Sequence, residues 1–83
     1  MVKNLNDTVE LMNSEDYKDR FKAEYYQLKI RSDKLQQILV KYKKNELSFK
    51  PKSSYELLHD QFIRMQGYMC ALEKRAEIEN IEL

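Results

Sequence analysis

Eighty-three residues allow one small domain with a modest core. Lysine and arginine number 15 against 14 aspartates and glutamates, so no net field draws the chain toward nucleic acid or an acidic membrane. One Gly, one His, one Cys and no Trp argue against glycine-loop catalysis, an internal disulfide or a metal cage, and without a long apolar run the chain is expected to be soluble, in a reducing compartment, with no signal peptide or membrane span.

Residues 1–13 form an N-terminal segment in which Asp7 to Glu10 has a capping form and opens a short helix over "TVELM". Leu5, Val9 and Met12 would then fold back on the helical hairpin. A long helix is predicted over 14–44, with Asn13 or Ser14 as its cap and with Glu15, Asp16 and Asp19 near the positive end of the helix dipole. Its apolar positions Phe21, Tyr25, Leu28, Ser32, Leu35, Leu39 and Tyr42 alternate steps of four and three, the period of a coiled-coil seam with one polar member.

A connection over 45–53 joins this helix to the next, and in it Pro51 forces Lys50 into an extended conformation. Phe49 is expected to plug the end of the seam between Tyr42 and Leu58. Lys41, Lys43, Lys44, Lys50 and Lys52, with Glu46 alone against them, leave this tip positive. A phosphate grip built on arginine forks or a glycine nest is missing from it, and the negative end of the first helix accounts for the lysines, so nucleic acid is not indicated as a partner.

The S-x-x-E form of Ser53 to Glu56 starts a second helix near Ser54, predicted over 54–79. Its seam, Leu58, Phe62, Met65, Met69, Leu72 and Ala76, repeats the same steps. With no Gly or Pro stop in "EIENIEL", residues 80–83 are expected to fray. The fold class is therefore all-α, an antiparallel, coiled-coil-like two-helix hairpin with a short N-terminal helix.

A lone helical pair is marginal, and both helices carry a second apolar face. Ile63, Gly67, Cys70, Ala71 and Ile78 lie on the side of the second helix away from the seam, and Tyr26 and Ile30 on that of the first. A glycine inside a helix is either tolerated drift or room for a neighbour. These faces predict a homo-oligomer, most simply a dimer of hairpins, with Tyr26, Ile30, Ile63, Gly67, Ala71 and Ile78 in the interface.

Beside the seam stand Arg20, Glu24 and Arg31 on the first helix and Gln61, Arg64, Tyr68 and Arg75 on the second. Such positions commonly carry interhelical salt bridges. Alternatively, Arg20, Arg31, Arg64 and Arg75 hold phosphates or a carboxylate, Gln61 hydrogen-bonds, and Tyr25 or Tyr68 stacks on a base in a pocket between hairpins. His59 has no second histidine or cysteine at ligand spacing, and Cys70 has no nearby histidine, so neither metal, cofactor nor catalytic nucleophile is indicated and the chain reads as a non-enzyme.

Tyr17, Arg20, Phe21, Glu24 and Leu28, then "KLQQIL", then "YELLHDQFIRMQGYMCALEKRAEIENIEL" resemble a family of short phage and prophage proteins known as relatives of a small crAss-like phage protein. The spacing of Leu57, Leu58, Gln61, Met65, Tyr68, Leu72 and Arg75 carries most of it. The resemblance covers residues 14 to 83 and implies a helical hairpin acting in the cytoplasm of an infected or lysogenic bacterium. In size, hairpin plan and expected assembly the chain also looks like phage anti-defence sponges. That similarity implies binding of a host nucleotide immune signal, a cyclic dinucleotide or ADP-ribose derivative, between subunits. The other classes are a protein that blocks a host or phage partner through its apolar faces and a DNA-associated factor using the lysine tip.

Overall fold

The computed structural model describes residues 2–83. Their elements are a 3-10 turn at Leu5–Thr8, α1 at Val9–Met12, α2 at Tyr17–Lys43 and α3 at Tyr55–Glu79. Among the described residues no strand forms, and two long helices packed against each other make an all-α hairpin about 43 Å long.

Both long helices form where apolar spacing and caps agree, but the caps differ from those expected. Asp16, not Asn13 or Ser14, caps α2 by accepting the Lys18 amide at 2.9 Å. Ser14 instead accepts the Asp16 amide and donates to Asp19, shaping the turn before the helix. For α3 the cap is Ser54, whose hydroxyl accepts the Leu57 amide at 3.1 Å. Leu57 stands where a box would need Glu or Gln, so Glu56 contributes first-turn charge and closes no capping box. The N-terminal box is Asn4 with Asp7 rather than Asp7 with Glu10.

Both helices end on asparagine. Asn45 and Asn80 have φ near 57° and 58°, the left-handed conformation that asparagine tolerates better than most residues. The amides of Glu46 and Ile81, one residue further on, each reach back 2.8 Å, to the Lys41 and Ala76 carbonyls. The end of α3 is therefore not frayed at this turn. Ile81 is buried, and Lys18 Nζ donates to the Asn80 carbonyl.

The core sits at the end of the hairpin away from the connection. Phe21, Tyr25, Met69, Leu72, Ala76 and Ile81 form one buried cluster, with Tyr26 and Leu28 against it. Further along, Ser32 is fully buried and accepts a hydrogen bond from Gln66, which answers the single polar member of the seam. Toward the connection the packing loosens, and Tyr42, Tyr55, Leu58, Phe62 and Met65 are only half-buried. Phe49 does not plug the seam, because its ring is 55% exposed and borders hollows with Ile38, Pro51 and Leu58. Tyr42 closes this end instead, donating to the Ser53 carbonyl and meeting Tyr55 edge to face at 5.8 Å.

The N-terminal segment covers the side of α2 opposite the seam. Thr8 is buried there, donating to the Leu5 carbonyl at 2.7 Å and accepting from Gln27 Nε2 at 2.9 Å. Ala23, one turn before Gln27, is also buried. Tyr26, packed against the core cluster, and Ile30 are half-buried rather than open, which removes most of the free apolar face expected on this helix.

Candidate functional site

Two flanks run along the hairpin, one on each side of the seam. Helix periodicity, with the register fixed by Tyr25 to Glu73 and Gln66 to Ser32, places Arg20, Glu24 and Arg31 of α2 on the same flank as Gln61, Arg64, Tyr68 and Arg75 of α3. Tyr25 belongs to the other flank.

Half of these side chains already have intrachain work. Tyr25 is buried and its hydroxyl donates to Glu73 Oε2 at 2.7 Å, so its ring is a wall of the core and not a free stacking platform. Arg20 donates to the Ser14 carbonyl at 2.8 Å. Arg64 pairs with Asp60 one turn back at 2.9 Å. Arg75 lies over the Phe21 ring, 5.0 Å from its centroid, and donates to both Glu79 and the Tyr17 hydroxyl, while Tyr17 donates to the other Glu79 oxygen at 2.9 Å. This clasp joins the first turn of α2 to the last turn of α3. Its hydrogen bonds hold the Glu79 carboxyl below its ordinary range and raise the Tyr17 hydroxyl. Glu24, Arg31, Gln61 and Tyr68 remain without an intrachain hydrogen bond among the described residues and are exposed.

Burial first, and the bond to Glu73 second, push the Tyr25 hydroxyl from an ordinary 10 up to about 12. The folded state thus disfavours the phenolate. The stability that depends on neutral Tyr25 is fully present below pH 10 and is lost as pH rises from 10 through about 12. Melting temperature is expected to fall across that window, and Tyr25→Phe to flatten the fall; an unchanged alkaline slope in the variant would place the cause elsewhere.

The opposite flank carries a site that seam counting passes over. Where α2 and α3 separate toward the connection, an apolar groove of about 300 Å³ opens between them. Leu39, Val40 and Phe62 line it, with Tyr55 and His59 along α3 and Gln36, Lys43 and Lys44 along α2. The Tyr55 and His59 rings stack at 5.8 Å and 23°, and Lys43 Nζ stands 5.8 Å from the Tyr55 centroid. Neither Lys43 nor Lys44 has a carboxylate within salt-bridge distance among the described residues. Tyr55 and His59 are four apart, as are Gln36 and Val40, one step off each seam. A helical wheel read for the flanks as well as the seam could have found them.

The outer side of α3 stays open. Ile63 and Ile78 are 52% and 80% exposed, Ala71 and Cys70 are exposed, and nothing lies within 4 Å of where a Gly67 Cβ would stand. Among the described residues no three His, Cys, Asp or Glu side chains gather as metal ligands, and no helix is long and apolar enough to cross a membrane.

The model of the Sequestin family matches residues 15–78, the whole of α2 and nearly all of α3. No curated protein and no solved structure matches the chain.

Proposed function

This chain belongs to the Sequestin family, and we propose that it is a non-catalytic, phage-encoded anti-defence protein that binds and sequesters a host nucleotide immune signal in a pocket completed by a second subunit. The observation that carries this function is the family match over both long helices, under a name that denotes sequestration. The hairpin is consistent with it: Arg31 and Tyr68, with no intrachain hydrogen bond among the described residues, are available to close such a pocket from a neighbouring copy. The open α3 face offers the surface on which copies would meet.

The purified chain, mixed with cyclic dinucleotides and cyclic ADP-ribose isomers, is expected to gain melting temperature with one of them, by about 2.7 kcal/mol of stabilisation at a hundred times Kd. It should release that compound unaltered on denaturation and sediment as more than one chain. Chemical conversion of the compound would make the protein an enzyme, and silence across the panel would remove the sequestering function. The exposure of Ile63 and Ile78 favours a second function, capture and blocking of a host or phage protein on the α3 face. That alternative predicts a silent panel and a defined partner lost on Ile63→Asp.

A further inference from the structure

We propose that the groove at the connection end of the hairpin, between Lys43 and the Tyr55–His59 stack, binds one aromatic, phosphate-bearing unit of the size of a nucleoside monophosphate. This deepens the nucleotide-sequestering function and rests on it for the identity of the natural ligand. The groove has the two chemistries such a unit requires, stacked rings along α3 and lysines at the end of α2.

The apolar wall is pre-formed. Tyr55 is held edge-on by Tyr42, which is itself anchored to the Ser53 carbonyl, and His59 lies one turn further along α3 with its ring nearly parallel to that of Tyr55. Phe62 and Val40 extend this surface, and Val40 is 49% exposed although it sits beside the seam. A planar base covering these groups removes apolar area from water at little cost in side-chain ordering. The cationic wall is the last turn of α2. Lys43 and Lys44 have no carboxylate within salt-bridge distance among the described residues, and Gln36 adds amide donor and acceptor groups two turns earlier.

The volume decides the size of the ligand. About 300 Å³ stands at the lower end of small-molecule pockets, which suits one base, its ribose and a phosphate. A dinucleotide signal would extend out of one groove toward a neighbouring copy, in agreement with a pocket completed by two subunits. The lysine-rich tip, explained from sequence by the helix dipole alone, acquires a second role.

The full-length chain is titrated with AMP, and the His59 ring signals are followed by NMR, with adenosine and inorganic phosphate as probes lacking one half of the unit. AMP is expected to move the His59 signals saturably, and each half-probe to bind at least tenfold more weakly. Lys43→Gln with Lys44→Gln, both exposed and with the fold of the variant checked by circular dichroism, should weaken AMP about tenfold or more, whereas Lys3→Gln should not. His59 signals that ignore AMP, or an AMP affinity unchanged by the lysine pair, would overturn the groove as the site. Melting with the cyclic-nucleotide panel separates the two claims. A panel hit that the lysine pair leaves intact removes the groove and keeps sequestration. Saturable AMP binding with a silent panel keeps the groove and removes the immune-signal function.

Discussion

Leu72→Ala is expected to cost about 3 kcal/mol, within the ~2–5 kcal/mol range for truncating a buried leucine. Leu72 is 1% exposed and belongs to the one cluster in which the two helices, Tyr25 and the returning Ile81 all meet. A chain of this length has a total stability on the order of 4–12 kcal/mol, so the loss is a large share of it. At ~4–8 °C per kcal/mol for domains of this size, the melting temperature should drop by roughly 12–24 °C, followed by circular dichroism at 222 nm. Leu57→Ala is the matched control. Leu57 is 60% exposed on the flank of the same helix and should change stability by no more than about 0.5 kcal/mol. Equal losses from the two leucines would mean that α3 turns a different face to α2.

The contrast between Leu72 and Leu57 also marks the reach of sequence periodicity. Alternating steps of four and three place Leu72, Ala76, Phe21 and Leu39 on the seam without a structure, because helix geometry alone relates spacing to face. Where the seam would be filled was not legible. The same spacing runs to Tyr42 and Leu58, yet there the residues are half-buried, and Phe49 is not packed between them. Helix ends escape periodicity for a different reason. Asn45 and Asn80 stop the helices through a left-handed backbone that glycine usually supplies, and a search for Gly or Pro passes over them. Ile81 just after Asn80 was the available signal, an apolar residue placed to fold back onto the last turn. Packing of Tyr26 against the core cluster and the bond of Gln27 to Thr8 are contacts that no periodicity contains.

For the candidate site, residue type and flank were legible, but commitment was not. Four arginines beside a seam look alike on a wheel. In the structure three of them are spent on Ser14, Asp60 and the Tyr17–Glu79 clasp, and Arg31 alone is left over. Tyr25, which alternation places at the seam, is withdrawn from any stacking role by the hydrogen bond that buries its hydroxyl against Glu73.

That difference makes Arg31 and Arg75 a decisive pair. Arg31→Ala is expected to weaken the panel compound retained by the wild type by roughly ten- to a hundredfold, the worth of one charge-assisted hydrogen-bonded contact at ~1.5–3 kcal/mol. The melting temperature of the free protein should stay where it was, because no hydrogen-bond or ion-pair partner among the described residues is lost. Arg75→Ala should do the reverse in the free protein. It removes the guanidinium from Phe21, Tyr17 and Glu79 together, and melting temperature should fall. Acid should produce a related loss without any mutation. Glu79 titrates below its ordinary range in the folded state, so the stability it contributes is present above pH 4.5 and disappears as pH drops through that lowered value. Affinity measured well below the melting point then separates the roles. If Arg75→Ala weakens the compound as strongly as Arg31→Ala under conditions where the variant is fully folded, the clasp arginine contacts ligand after all. If Arg31→Ala leaves affinity unchanged, that flank is not the pocket wall, and the lysine groove on the other side has to hold the ligand without it.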